Sequence, residues 1–119
     1  MSSEIRFGRF RFDRSDGRLW SDGARIRLTP RAASVLEALV TRPGELVSRE
    51  ELFASVWGGA AVSEDALTSC IRELRKALDD DARHPRFIET RHRRGYRFVA
   101  KPFAASPKAI SGFVVREPA

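Results

Sequence analysis

Seven lysines or arginines and a single acid, Glu89, lie between Arg83 and Lys101, and the densest part of that run reads Arg91-His92-Arg93-Arg94-Gly95. Cations packed this closely repel one another unless a polyanion is near. A cationic turn of this kind suits phosphates or a narrow, negative minor groove, so Arg91, His92, Arg93 and Arg94 are candidate minor-groove contacts. Just upstream, a helix is expected from Glu64, in which Leu67, Ile71, Leu74 and Leu78 repeat at four, three and four as a narrow apolar seam. Its other side carries Thr68, Ser69, Arg72, Glu73 and Lys76. Residues three and four apart share a helix face, so Thr68, Ser69, Arg72 and Glu73 are candidates for base edges in a major groove. Arg72 can hold two acceptors of a guanine, and Glu73 can accept from a cytosine amine or exclude a phosphate. Arg75 and Lys76 are candidates for phosphates. Ser48 and Arg49 fall at another expected helix N-terminus, where free amides and the dipole favour an anion. Plainer readings stand beside these: a solvated helix face, a basic surface loop, Ser48 as a cap alone, and Arg49 as an ordinary exposed arginine.

Composition narrows the classes. The 119 residues fit one domain with one core, expected over residues 1–101, with 102–119 as a tail or linker punctuated by Pro102, Pro107 and Pro118. Twenty-two Lys and Arg against sixteen Asp and Glu give a net charge of +6, and nineteen of the cations are arginine, whose planar fork suits phosphate and guanine. The single cysteine, Cys70, can form no internal disulfide and has no partners at zinc-ligand spacing, so a small buried hydrophobe in a reducing compartment is expected. No nucleophile with a base, carboxylate pair or glycine-rich phosphate loop is present, so neither catalysis nor a cofactor or metal is expected. His84, before a proline, is a poor ligand candidate. The start MSSEIRFGRF lacks a signal-peptide core, and no apolar run approaches the roughly 18 residues of a membrane span. A cytoplasmic chain without membrane contact is expected. Trp20, Trp57 and the phenylalanines fall on the apolar phases of their segments and are expected in the core, which leaves no stacking platform for single strands. A reading helix also suits B-form DNA better than the deep, narrow groove of RNA.

Local signals place the elements. Ile5, Phe7, Phe10 and Phe12 alternate with arginines apart from a slip at Gly8, which predicts one strand with a bulge or bend. Asp16-Gly17 and Asp22-Gly23 mark turns, so three short antiparallel strands are expected before residue 29. Thr29-Pro30 reads as an N-cap with proline at the first helical position, and Arg42-Pro43-Gly44 as the stop. Ser48-Arg49-Glu50-Glu51 is a capping box for a second helix, buried through Leu52, Phe53, Val56 and Trp57 and ended by Gly58-Gly59. The third helix is expected to be capped by Ser63 or Glu64 and to fade at Asp79-Asp80-Asp81, acids that cap or leave it because they oppose its dipole. Phe87-Ile88-Glu89-Thr90 and Tyr96-Arg97-Phe98-Val99 are close enough to pair as a hairpin, and Phe113-Val114-Val115 could add an edge strand. No internal repeat is present.

The order of these elements, with Leu28-Thr29-Pro30, Val56-Trp57-Gly58, Ile71-Arg72-Glu73-Leu74-Arg75-Lys76-Ala77-Leu78 and Gly95-Tyr96-Arg97-Phe98, resembles the OmpR/PhoB-type winged-helix DNA-binding domains of bacterial transcription regulators. The likeness covers about residues 5 to 100. It implies an α+β winged helix-turn-helix with a four-stranded N-terminal antiparallel sheet, three helices and a C-terminal β-hairpin wing. The third helix would read double-stranded DNA, and the hydroxyls of Thr90 and Tyr96 would match phosphate contacts of the family's wing. It also implies homodimers on tandem or inverted half-sites and contact with RNA polymerase through the loop between the second and third helices, here the short, uncharged Gly59-Ala60-Ala61-Val62. Arg91 stands where the family usually has valine, and the Arg-Arg-Gly-Tyr ending resembles CadC/ToxR-like members, which carry the domain at the N-terminus. The rival class is a winged helix turned protein-interaction module without DNA binding. The two differ in salt response, because only phosphate contacts release counterions.

Overall fold

A computed structural model describes residues 4–59, 62–100 and 103–104. Four strands come first, β1 (Glu4–Phe7), β2 (Phe10–Asp13), β3 (Arg18–Ser21) and β4 (Ala24–Ile26), followed by helix α1 (Pro30–Val40). Strand β5 (Leu46–Ser48) runs directly into α2 (Arg49–Trp57), and α3 (Glu64–Leu78) is followed by the hairpin β6 (Ile88–Arg91) and β7 (Gly95–Phe98), then β8 (Phe103–Ala104). The strands form two sheets, β4-β3-β2-β1-β8 and β5-β7-β6. The class is α+β, with the three helices and the C-terminal hairpin expected.

The N-terminal segment departs from its expectation. Where one bulged strand was expected across Gly8, Phe7 and Phe10 pair directly, making Gly8-Arg9 a two-residue turn between separate strands. Gly8 has φ +57°, the positive value such a tight hairpin needs at its first central residue, so the glycine reverses the chain instead of bending it. Asp22-Gly23 turns the β3–β4 hairpin, with both residues at positive φ. The sheet therefore has four strands before α1, as the resemblance implies, and β8 adds a fifth on β1 just past the boundary expected at residue 101. Residues 105–119, including the edge strand expected at Phe113-Val114-Val115, lie outside the described residues, as do Ala60 and Ala61 of the loop before α3.

The helix starts follow their local signals. Thr29 Oγ1 accepts from the Ala32 amide at 3.3 Å, with Pro30 at the first position. Ser48 and Glu51 form the complete capping box, each side chain accepting from the other's amide at 3.0 and 3.1 Å. Ser63 takes the N-cap conformation of α3 without a side-chain bond. Asp79 ends α3 in the left-handed conformation, φ +54°, so the aspartates do leave the helix. Asp80 then accepts from the amides of Arg86, Phe87 and Ile88 at 2.7, 3.3 and 2.9 Å, fixing the path into the hairpin.

Leu67, Ile71, Leu74 and Leu78 of α3 are all buried against a core shared with α1 and with Phe7, Phe12, Leu19, Ile88 and Phe98. Phe7 meets Phe98 and Phe87 edge-on at 5.0 and 5.7 Å between centroids, which joins the N-terminal sheet to the base of the hairpin. Trp57 packs on this core, but Trp20, expected in it, does not. It alternates with the buried Leu19 and so points to the outer face of the sheet, where the Arg11 guanidinium lies 4.4 Å from its ring centroid.

The closest backbone approach is at Gly95, where a Cβ would stand 2.0 Å from the Val47 carbonyl oxygen. Gly23 also has a positive φ, but nothing lies within 4 Å of a Cβ there. Gly95→Ala should therefore cost about 1–3 kcal/mol more than Gly23→Ala, from overpacking in addition to backbone strain. Urea denaturation measures the difference, and equal costs would contradict the close approach.

Arg42 Nη1 donates to Glu51 Oε2 at 2.6 Å. That bond, and after it the Ser48 amide, holds the Glu51 carboxyl below the ordinary carboxylate range. A depressed folded pKa gives stability that is present above the unfolded value and lost as pH falls through the folded one. Glu51→Gln, which keeps the capping pattern, should be less stable than wild type at neutral pH, with the gap closing in acid below the carboxylate range. A gap independent of pH in urea melts would show that the ionised carboxylate contributes nothing.

Candidate nucleic-acid interface

The phase of the α3 seam decides what its other side offers. With Leu67, Ile71, Leu74 and Leu78 buried, Ser69, Arg72 and Lys76 are exposed and Thr68 is half-exposed. Among the described residues neither Arg72 nor Lys76 forms an ion pair. Glu73 and Arg75, at the margins of the exposed face, are engaged within the fold. The Glu73 carboxylate accepts from the Thr29 amide at 2.6 Å and from the Thr29 hydroxyl at 2.9 Å, tying α3 to the start of α1. Arg75 Nη2 donates to the Ile88 carbonyl at 3.1 Å and to Thr90 Oγ1 at 2.6 Å, tying α3 to β6. Two residues expected at bases and phosphates thus set the angle of the helix against its neighbours. Thr90, expected at a phosphate, receives one of these bonds.

The hairpin tip is built from the cations expected there. Arg91 pairs with Gly95 across the strands, so His92, Arg93 and Arg94 form the loop, closed by the Arg94 amide donating to the Arg91 carbonyl at 2.9 Å. All four side chains from Arg91 to Arg94 are exposed, and among the described residues none forms an ion pair. Arg93 has φ +66°, a conformation that a non-glycine residue adopts at some cost. Arg49 holds this loop from the side. Its amide donates to the Arg94 carbonyl at 3.2 Å and its Nη2 to the Arg93 carbonyl at 3.2 Å, while Nη1 pairs with Glu64 at 2.6 Å. The half-exposed Arg49 therefore links the start of α2, the first turn of α3 and the tip. Ser48 is occupied by its capping box.

Between α3 and the hairpin lies a cleft of about 260 Å³, lined by Arg49, Thr68, Thr90, Arg91, His92 and Tyr96, among others. Tyr96 faces Thr90 across the strand pair. The structure thus brings Thr68, Thr90, Tyr96, Arg91, His92 and Arg93 around one opening, with Ser69, Arg72 and Lys76 on the exposed face of the same helix. Among the described residues no group of three or more His, Cys, Asp or Glu could hold a metal, and no helix is long and apolar enough to cross a membrane. Cys70 is buried, and burial first, then the nearby Glu73, pushes its thiol up, which keeps it protonated. The sequence reading missed three features of this site: Glu64 as the partner of Arg49, Asp80 as organiser of the approach to β6, and β5 as the third strand of the hairpin sheet.

The family described as "Transcriptional regulatory protein, C terminal" matches residues 23–98. The transcriptional regulator HilA of Salmonella typhimurium is 40% identical over 94 residues, which covers 79% of this chain and 17% of HilA. The chain thus spans less than a fifth of that curated relative's length. The solved DNA-binding domain of Escherichia coli CadC superposes with TM-score 0.73 at 31% identity, covering 86% of this chain and 96% of that one. The DNA-binding domain of Klebsiella pneumoniae RstA, solved in complex with RstA box, gives TM-score 0.70 at 26% identity, covering 81% and 96%.

If Arg75 positions the hairpin, Arg75→Ala should leave the Ile88 carbonyl and Thr90 hydroxyl without their donor and cost about 1.5–3 kcal/mol, the range for bonds to a charged group. Amide hydrogen exchange should rise across residues 88–98 and stay unchanged in α1 and α2. Unaltered protection of β6 and β7 would remove Arg75 from that role.

Proposed function

The chain belongs to the family of transcriptional regulatory protein C-terminal domains, and on that premise we propose that it is the double-stranded DNA-binding domain of a bacterial transcription regulator. In this reading α3 enters a major groove and the hairpin tip the flanking minor groove. One observation carries it: the exposed cations Arg72, Lys76, Arg91, Arg93 and Arg94, which form no ion pair among the described residues, are distributed over a helix face and a hairpin tip that flank one cleft. Leaving so many like charges together without counterions is unfavourable for the free protein and favourable against a polyanion. Ser69 and Arg72, with Thr68 beside them, face base edges, and Lys76 and the Tyr96 hydroxyl meet phosphates. His92, Arg93 and Arg94, with Arg91 at their rim, follow the minor groove. Glu73, Arg75 and Thr90 act as positioning residues. Arg49, paired with Glu64, holds the tip.

The likeness to HilA, CadC and RstA supports this reading, because the names of those proteins state transcriptional regulation or DNA binding. The proposed domain takes residues 1–101 with β8 added to its sheet, and it works in the cytoplasm without catalysis, cofactor or metal. Pairing of two copies on tandem or inverted half-sites, and contact with RNA polymerase through the loop before α3, are parts of the same proposal.

Gel-shift titration over a salt series tests it. With about six to ten phosphates contacted, affinity should fall about 10³- to 10⁵-fold between about 50 and 200 mM salt. A weak salt response would favour a protein-interaction module instead. On duplexes recovered by selection from random sequence, Arg72→Ala should flatten preference by about 1–3 kcal/mol at one position. Arg94→Ala should lower affinity alike on all sequences and reduce the salt slope by about one. Equal losses on every sequence from Arg72→Ala would contradict a base contact.

A further inference from the structure

A second group of cations lies away from α3, on the outer face of the N-terminal sheet. The strand register sets Arg6, Arg11, Trp20 and Arg25 opposite one another on β1, β2, β3 and β4, in one row across the sheet. Their chain neighbours Phe7, Phe12 and Leu19 are buried on the other face. Adjacent strands are about 4.8 Å apart, so the row from Arg6 to Arg25 is about 14 Å long. Arg9 joins it from the β1–β2 turn, and with Arg6, Arg11 and Trp20 lines a hollow of about 330 Å³. Arg11 is committed, paired with Glu4 at 2.9 Å and lying over Trp20. Arg6, Arg9 and Arg25 are exposed, and among the described residues none of them forms an ion pair.

We propose that this face is a second phosphate-binding surface, which takes a DNA duplex other than the one engaged by α3 and the hairpin tip, so that one molecule bridges two duplexes. The proposal rests on the DNA-binding reading above. The chemistry of the face favours phosphodiester over an acidic protein. Tight protein interfaces centre on an apolar or aromatic anchor that the partner desolvates. Here the Trp20 ring is already covered by Arg11, and the one exposed large apolar side chain among the described residues is Val99, outside this sheet. What remains is a set of exposed guanidiniums, Arg6 and Arg25 at the ends of the row and Arg9 in the turn, with one acid, Asp22, at the hollow. A DNA strand carries one phosphate per about 3.4 Å of axis, so about 14 Å spans roughly four phosphates, enough for Arg6, Arg9 and Arg25. The position of the face favours a separate duplex. The turn at Gly8, where a Cβ would meet the Phe87 ring at 3.2 Å, abuts the base of the hairpin, at the opposite end of β6 and β7 from the tip.

The test saturates an immobilised duplex with the full chain, washes, and adds a fluorescent second duplex. Wild type should hold the first duplex and capture the second. The triple variant Arg6→Ala, Arg9→Ala, Arg25→Ala should capture about tenfold less, while its salt slope on the first duplex changes by less than about 0.9, the value of one phosphate. The corresponding triple lysine variant should retain capture. Wild type that holds the first duplex yet captures no second overturns the proposal and leaves the DNA-binding reading intact. Capture undiminished in the alanine variant overturns it in favour of bridging by paired copies. A first-duplex slope reduced by about 0.9 per arginine assigns the face to the same duplex. Displacement of the second duplex by polyglutamate at equal charge concentration reassigns the face to an acidic polypeptide. Failure of wild type to hold even the first duplex overturns both readings.

Discussion

The angle between α3 and the hairpin is set by guanidiniums bonded to backbone carbonyls. Arg75 reaches the Ile88 carbonyl, and Arg49 reaches the Arg93 carbonyl beside its amide bond to Arg94. Arg86 bonds the Asp79 carbonyl, at the end of the helix that these contacts align. A carbonyl accepts the bond without cancelling the charge, so Arg75 and Arg86 brace the fold while still contributing to the positive field, whereas Arg49 is also paired with Glu64. A carboxylate in the same place would brace equally well and neutralise the surface. Gly95 completes the arrangement by letting β7 lie against the Val47 carbonyl, which brings the hairpin beside the start of α2, where Arg49 begins.

The acids are used differently. Glu51 is held by Arg42 and the Ser48 amide, Glu73 by Thr29, and Asp80 by three successive amides, so each carboxylate joins segments that are separated in sequence. Asp13 accepts from the Ser15 amide and hydroxyl, and those bonds lower its pKa. Among the described residues, Arg6, Arg9, Arg25, Arg72, Arg91, Arg93 and Arg94 are exposed and form no ion pair. Distribution of that charge, more than its total, distinguishes a nucleic-acid surface from a merely basic protein.

What could be read from the sequence was whatever a few neighbouring residues decide. Thr29-Pro30, the Ser48 to Glu51 capping box and Asp22-Gly23 act within one turn of chain, and each forms as expected. The four-three-four spacing of the α3 seam likewise identified its buried face and therefore the exposure of Ser69, Arg72 and Lys76. What could not be read depends on distant partners. Strand β5 is only three residues long and exists because β7, some fifty residues later, pairs with it. Glu73 and Arg75 sit at the margins of the seam, where periodicity alone leaves solvent, ligand and neighbouring segment equally open, and residues 29 and 88–90 take them. Trp20 was assigned to the apolar phase of its segment, whereas the buried Leu19 beside it takes that phase and puts Trp20 on the outer face. Gly8 shows the opposite limit, since a glycine in an alternating segment fits a bulge or a turn until the pairing of Phe7 with Phe10 is known.

The tip of the hairpin shows what this design gives up. Its loop needs positive φ at residue 93, where glycine or asparagine would fit with less strain, and arginine there carries a cost on the order of 1 kcal/mol. Glycine would relieve the strain and remove a cation from the most exposed point of the molecule. With arginine in place, the loop must be held by something outside itself, and the Arg49 side chain does this by bonding the carbonyl of the strained residue. Arg49 is in turn oriented by Glu64, so a carboxylate in the first turn of α3 bears on the conformation of a loop reached only through a second side chain. Helix, brace and tip are therefore linked in series, from Glu64 through the Arg49 guanidinium to the Arg93 carbonyl.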